Sequence, residues 1–331
     1  LHPRVRRQRQ MCIRDRNITT VVVVWSGGNM IVAGNMQVGD LTAFTNYIVQ
    51  IMSSLTMLSI AFLNWARAIA SFRRVGEVLD EKIDLTDENA KHKDRAVCEG
   101  SVEFQNVSFR YYKNSPEWVI ENISFKLEAG KTLGIIGSTG SGKSTLVSMI
   151  PRLYDTDEGT VLVDGINVRD YGLKPLREGI GMVLQNNTLF SGSIIENLKW
   201  GDEHADEKAV RKAAQNAQAA GFIDSFKDGY RTRLEQSGNN VSGGQKQRLC
   251  IARALLKCPK ILILDDSTSA VDTATERAIR EALHSEYKDM TKIIIAQRIR
   301  SVMDADEILV LDNGKTAGFG THEQLLSLIH I

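Results

Sequence analysis

No two of the chain's four cysteines, Cys12, Cys98, Cys250 and Cys258, stand in a CxxC pair. The spacing of Cys250 and Cys258 suits no zinc knuckle, so free thiols in a reducing compartment are expected. The six histidines form neither HExxH nor any other paired-ligand spacing, which argues against a protein metal site of that kind. No signal-peptide layout, internal repeat or low-complexity tract is visible. A formal net charge of +1 over 331 residues advertises no surface for a polyanion, so a nucleic-acid partner is not expected. What the chain lacks locally says more: from Asn17 to Ala66 the only charged side chain is Asp40.

That stretch divides the protein. A membrane-spanning helix needs about 20 mostly apolar residues, and Leu41–Ala66 carries no charge at all. Asp40 is expected to cap its N-terminus. Arg67, Arg73 and Arg74 follow, which places that end in the cytoplasm by the positive-inside rule. Upstream, Ile18–Ala33 is apolar but short and interrupted by Gly27, Gly28 and Asn29. The two segments are expected to form a helical hairpin across the lipid bilayer, turning near Gly34–Gly39. Ser53, Ser54, Thr56 and Asn64 would pack against other helices or line a substrate path. The pattern SFRRVGEVLDEKI continues as an amphipathic helix leaving the membrane, and the polar stretch 84–100 reads as a linker.

The two ends read as foreign. Met11 to Arg16 can be translated from ATGTGTATAAGAGACAG plus one base, and the reverse complement of that string yields Leu-Ser-Leu-Ile-His-Ile, the residues from Leu326 to Ile331. A single DNA element, resembling a transposase-type sequencing adaptor, accounts for both. Residues 1–16 and 326–331 are therefore expected to be non-native and the natural protein to be longer.

A short apolar strand, Leu133–Ile136, runs into Gly137-Ser138-Thr139-Gly140-Ser141-Gly142-Lys143-Ser144-Thr145 and then into the helical pattern LVSMI. This is GxxxxGK[ST] in its strand–loop–helix setting. Glycines there let backbone N–H groups converge on phosphate oxygens at the positive end of a helix. Lys143 would reach the β- and γ-phosphates of ATP and Ser144 would ligate Mg²⁺. A second strand, Ile261–Leu264, ends in Asp265-Asp266; four aliphatic residues before an acid suit a buried parallel strand whose C-terminal edge faces the ligand. Asp265 would hold the magnesium. Thus far the chain reads as a P-loop NTPase.

Val241-Ser242-Gly243-Gly244-Gln245 narrows this, because it is similar to the LSGGQ signature of ABC ATPases, with Val in the Leu place. It opens the pattern KQRLCIARALL, so Ser242 is an N-cap and Gly243 and Gly244 leave N–H groups open to an anion. The resemblance covers nearly all of Asn17–Leu325, and the hairpin with its AxASFRRVGEVLDE exit resembles the last two helices of bacterial multidrug and lipid exporters. It implies an α/β ABC ATPase with a RecA-like core, an antiparallel β subdomain and an α-helical signature subdomain. The layout would be a transmembrane remnant over 17–83, the linker 84–100 and a nucleotide-binding domain over 101–325. The resemblance also assigns roles. Gln185 matches the Q-loop glutamine that senses Mg²⁺ and the membrane domain. Ser269-Ala270-Val271-Asp272 matches the D-loop, with Asp272 in the composite nucleotide site. Tyr111, in VSFRY, matches the aromatic that stacks on adenine, the alternative being a core aromatic. In this family the signature completes the site of the opposite subunit.

Three places depart from the family pattern. The residue after the Walker B aspartate, normally a catalytic glutamate, is Asp266. The switch histidine of IAHR is Gln297, in Ile295-Ala296-Gln297-Arg298; an amide hydrogen-bonds but carries no positive charge. Where the family has TEVGERG, Thr232–Gly238 puts Gln236 in the glutamate place. Two changes in one hydrolytic site resemble the degenerate subunit of heterodimeric ABC exporters. Such a half-transporter binds ATP at its own site and lends its signature to a partner half-transporter, moving a small molecule, lipid or peptide. A homodimer with a slow site and a regulatory nucleotide-binding subunit stay open as alternatives. A soluble ABC ATPase acting on nucleic acid or ribosomes conflicts with the uncharged run.

Overall fold

The computed structural model describes the backbone of residues 3–329 and the side chains of residues 17–327. The expectation of foreign ends falls largely on side chains outside the described residues. The chain separates into two compact units, Leu1–Ile83 and Asp84–Ile331.

The first unit is a pair of helices, α1 (Pro3–Val32) and α2 (Val38–Leu79). Alpha-helix is the only local structure that satisfies every backbone group of an apolar segment internally. Gly27 is where the two helices come together: it is buried, and a Cβ there would overlap the Leu41 side chain. Asp40 does not itself occupy the N-cap of α2. The helix begins three residues earlier than its first uncharged run, at a capping box in which Gln37 is the N-cap and the Asp40 carboxylate accepts from the Gln37 N–H at 3.2 Å. Helix α2 has no buried residue and presents Phe44, Ile51, Leu55, Phe62 and Trp65 outward. It is long and apolar enough to cross a membrane; Asn17–Val32 is apolar but shorter.

The second unit is layered α/β. Strands β1 (Val102–Phe109), β2 (Ile120–Leu127), β4 (Glu158–Val163) and β5 (Ile166–Asn167) form an antiparallel sheet in the order β2-β1-β4-β5. A six-stranded sheet runs β12-β11-β3-β10-β9-β6, from β3 (Thr132–Gly137), β6 (Ile180–Val183), β9 (Ile261–Asp265), β10 (Thr291–Ile295), β11 (Glu307–Asp312) and β12 (Lys315–Gly320). Its first five strands are mutually parallel, with β12 antiparallel at the edge. Strand β9, Ile-Leu-Ile-Leu-Asp, is buried at every position, as a strand covered on both faces must be. The remaining elements are α3 (Lys143–Ser148), α4 (Leu173–Glu178), β7 (Gly192–Ser193), α5 (Ile194–Lys199), α6 (Glu207–Asn216), α7 (Ala220–Ser225), β8 (Arg233–Leu234), α8 (Gly243–Leu256), α9 (Thr273–Glu286) and α10 (His322–Ile329). Helices α5 to α8 pack around a second apolar core that includes Ile194, Leu198, Ala214, Ile223, Leu249 and Ile251.

Parallel register fixes the site. Ile295 stands opposite both Ile135 and Asp265, and Val183 opposite Leu264. The P-loop, the two aspartates, Gln185 and Gln297 thus all leave the same C-terminal edge of the sheet, where open α/β folds place their ligands.

Candidate nucleotide site

A cavity of about 330 Å³ opens at that edge, lined by Tyr111, Thr139, Gly140, Gly142, Lys143, Ser144, Thr145, Gln185, Asp265, Asp266 and Gln297 among others. Backbone conformation and crowding require glycines in the loop before α3. Gly140 and Gly142 have φ of 86° and 90°, and a Cβ on Gly142 would lie 2.8 Å from the Val119 carbonyl. Lys143 Nζ folds back over the loop, donating to the carbonyls of Gly137 (2.9 Å) and Ser138 (2.7 Å), with Ser141 Oγ at 3.4 Å. Burial pushes its ammonium below the ordinary lysine value, while the Asp265 and Asp266 carboxylates pull the other way. The first-turn N–H groups of α3 have no intrahelical acceptor. The cavity therefore offers a cation and open backbone donors on one wall.

Two carboxylates, Asp265 and Asp266, line the same cavity. Burial raises Asp265 above the usual carboxylate range, opposed by a hydrogen bond from Ser144 and by the Lys143 charge. Burial and then repulsion from Asp265 raise Asp266, opposed by Gln297. Two desolvated acids beside a lysine and a serine hydroxyl form an oxygen donor set suited to a hard divalent cation. The residues present thus fit Mg²⁺ together with a polyphosphate.

Asp266 is the focus of the departures from the family pattern. Its backbone is left-handed at φ 47°, a conformation that costs a non-glycine residue free energy and is held by surrounding bonds. Its N–H donates to the Ile295 carbonyl at 3.1 Å, and its own carbonyl accepts from Ser269 Oγ at 2.9 Å. Gln297 Nε2 donates to its carboxylate at 2.8 Å, with Gln185 Nε2 at 3.5 Å. The two substituted residues, 31 positions apart in sequence, touch directly.

Of the other residues singled out from the sequence, Tyr111 lines the rim of this cavity and the signature residues and Asp272 do not. Tyr111 is half exposed, donates to or accepts from Thr145 Oγ1 at 2.9 Å, and meets Phe109 and Tyr154 edge-on. Ser242 caps α8: its Oγ accepts from the Gln245 N–H at 3.3 Å, and Gln245 Oε1 accepts from the Ser242 N–H at 2.8 Å. Neither Ser242, Gly243, Gly244 and Gln245 nor Asp272 lines the P-loop cavity. Asp272 caps α9, accepting from Thr275 N–H at 3.0 Å. Gly243 has no positive φ, and a Cβ there would make only ordinary contact with Ala270 Cβ at 3.6 Å. The crowded position is Gly244, where a Cβ would lie 2.8 Å from the Ala270 carbonyl. Sequence reasoning missed Gln247. It is buried, donates to Ser269 Oγ at 3.2 Å and accepts from Ala270 N–H at 3.0 Å, tying the signature helix to the loop that follows Asp266. A glutamine two residues after Gln245, on the core-facing side of α8, was the available signal.

The fold and this edge define a P-loop nucleotide-binding protein. Residues 120–269 match the family model described as ABC transporter. An uncharacterized ABC transporter ATP-binding protein of Bacillus subtilis, YfiB, is 44% identical over 311 residues, covering 94% of this chain and 53% of its own length. A putative multidrug export ATP-binding/permease protein of the same organism, YgaD, is 42% identical over 311 residues, with the same coverage of both chains. An ATP-dependent lipid A-core flippase of Idiomarina loihiensis is 39% identical over 315 residues, covering 95% of this chain and 53% of its own. The structure of a bacterial Atm1-family ABC exporter with ATP bound superposes with a TM-score of 0.77 at 32% identity, covering 96% of this chain and 56% of that one. The protein carries an ABC transporter ATP-binding domain, and its relatives include multidrug and lipid exporters. The chain spans about half the length of the curated relatives it matches.

Proposed function

We propose that the chain is a subunit of an ATP-driven membrane exporter whose own nucleotide site is impaired in hydrolysis and whose signature motif serves a partner half-transporter. On this reading residues 17–83 are the last two helices of a multi-pass membrane domain, 84–100 a linker and 101–325 a cytoplasmic nucleotide-binding domain. The exported molecule is a drug, lipid or peptide. Lys143 and the N–H groups from Gly140 to Thr145 would hold the phosphates, Ser144, Asp265 and Gln185 would surround the magnesium, and Tyr111 would face the adenine. Mg²⁺, when bound, neutralises charge that develops on transferring phosphoryl oxygens. The chain's own task is to position and polarise the attacking water. For this Asp266 is one methylene shorter than glutamate, and misplacing a catalytic group by about 1 Å costs on the order of a hundredfold in rate.

The observation that carries the reading is the 2.8 Å bond from Gln297 to Asp266. The two departures form one contact, so they weaken one function together. That Ser242–Gln245 does not line the P-loop cavity supports the second half of the reading, in which the motif serves another subunit's site. The test is nucleotide turnover in the assembled pair: labelled ATP retained on this chain should persist through many cycles of the partner. Conversion of that ATP at the rate of the whole transporter would instead make this a working site and favour a homodimer.

A further inference from the structure

The stretch that joins α2 to β1 is bound to the ATP-binding domain along most of its length. Near its start, Asp87 Oδ2 accepts from the Leu173 N–H at 2.9 Å. Leu173 opens α4, whose N-cap Gly172 has no side chain to offer, so the connector supplies the missing cap. In the middle, His92 N–H donates to the Asp170 carbonyl at 2.7 Å, and Lys91 lies 3.5 Å from the Asp170 carboxylate. At the end, one carboxylate takes four successive backbone donors. Asp164 Oδ2 accepts from Cys98 (2.7 Å) and Glu99 (3.1 Å), and Oδ1 from Gly100 (2.7 Å) and Ser101 (3.0 Å). Asp164 itself is left-handed at φ 51°, in the Asp-Gly turn between β4 and β5. The seat is also shaped for the strand it receives. A Cβ on Gly172 would overlap the Lys93 carbonyl, and one on Gly179 would lie 2.6 Å from Val97 Cβ. Val97 is buried, although its neighbours are exposed.

We infer that the connector from Asp87 to Ser101 is a strap fixed to the ATP-binding domain, latched by Asp87 and Asp164, and that these two carboxylates are positioning residues for transmitting domain motion into α2. The physical consequence is loss of slack. An extended chain covers about 3.5 Å per residue, so a free tether over residues 80–100 would reach ~70 Å, whereas the portion before Asp87 reaches only ~25 Å. Motion of the β1–β2–β4 sheet or of α4 therefore pulls on α2 through a short lead. Charge-assisted bonds to a carboxylate are the strong kind, and four on one group leave few routes for fraying. The inference needs only the connector and its seat, and it stands whether or not the nucleotide site is impaired.

The test uses the full chain in lipid nanodiscs and trypsin, for which Lys91, Lys93 and Arg95 supply sites inside the strap. Asp164→Ala with Asp87→Ala should speed cleavage there by tenfold or more, and amide exchange at Cys98–Ser101 should accelerate alongside. Asp164→Asn, which keeps one acceptor oxygen, should fall between. Binding of an ATP analogue, unchanged in both variants, shows that the domain remains folded. The slack itself is read by spin labels at Ser71→Cys and Lys126→Cys, on a background of Cys12→Ser, Cys98→Ser and Cys258→Ser. Because coil dimensions grow with the square root of length, the distance distribution should broaden about 1.7-fold in the double variant. Unchanged cleavage, or an unchanged distance distribution, overturns the strap.

Discussion

The P-loop edge and the signature end of the same domain are built by opposite means. The P-loop edge crowds charge into a buried place: Lys143, Asp265 and Asp266 are all shifted away from their ordinary protonation behaviour, and Asp266 is held left-handed. The signature motif itself, Ser242–Gln245, holds no residue at positive φ. Ser242 and Gln245 satisfy each other in a capping box, and Gly243 stands open. The departures from the family pattern in the hydrolytic machinery sit at the strained end. A site that works by the mutual placement of several groups loses function when one contact changes, whereas a capped helix that presents N–H groups keeps its role without them.

The comparison breaks most directly at Gly243. With only Ala270 Cβ at 3.6 Å, a side chain there is accommodated by the chain itself, so Gly243→Asp tests what the position offers to another molecule. At an effective dielectric near 20, two unit charges about 4 Å apart repel by about 4 kcal/mol. Steady-state ATPase of the assembled pair should drop at least about a hundredfold, with ATP binding at Lys143 intact. Full activity would remove the signature's role in trans. Gly244→Ala is a less clean probe, because it presses on the Ala270 carbonyl within the same chain.

Next in size is the strained end. Asp266→Glu with Gln297→His should raise hydrolysis at this site by about ten- to a hundredfold in single-turnover measurements, the scale of a misplaced catalytic group. Each change alone should give much less, because the residues act through one contact. Equal gains from the single changes would show that the bond between them is incidental. Lys143→Ala should cost about tenfold in retention of nucleotide by this chain, through loss of a phosphate contact, yet lower turnover of the pair less than Gly243→Asp does. The reverse ranking would move the working site to this P-loop.

How far the sequence carried this picture depended on whether a feature is local. GSTGSGKST, ILILDD and VSGGQ each specify backbone and side chain within one strand–turn or one cap, and the elements form as expected. Capping details already fail by a few residues. Asp40 is an acid in a position to cap, but Gln37, which has its own amide to offer, starts α2 and recruits Asp40 as the reciprocal partner. Contacts between distant segments were not legible. Nothing in the string announces that Gly244 rather than Gly243 meets the Ala270 carbonyl, or that Asp164 collects the N–H groups of residues 98–101; Gln247 could be picked out on α8, but its partners in the loop after Asp266 could not. Asp266 and Gln297 were each readable as departures, but their contact follows only from the parallel register of β9 and β10.

The smallest expected effect tests why the strained end is strained. Asp265 is buried and its carboxyl is raised above the ordinary range, chiefly by desolvation. An acid raised on folding stabilises the fold fully below its unfolded pKa, and that contribution is lost as pH rises through the folded value. At neutral pH, without a divalent cation, the ionised Asp265 is therefore a liability of the free domain. Asp265→Asn keeps the shape and removes the charge, so it should stabilise the cation-free protein by about 1 kcal/mol, or ~2–4 °C in Tm for a domain of this size. The gain should shrink as pH is lowered towards the acid range, where the wild-type carboxyl takes up its proton. In Mg²⁺ with an ATP analogue the order should invert, because only the carboxylate can supply a charged oxygen ligand. The comparison is thermal unfolding of both proteins across pH 5 to 8, with and without Mg²⁺ and nucleotide. A variant less stable than wild type in the cation-free state would mean that the Ser144 bond and the Lys143 charge outweigh burial, and that the P-loop edge is not strained by its acids.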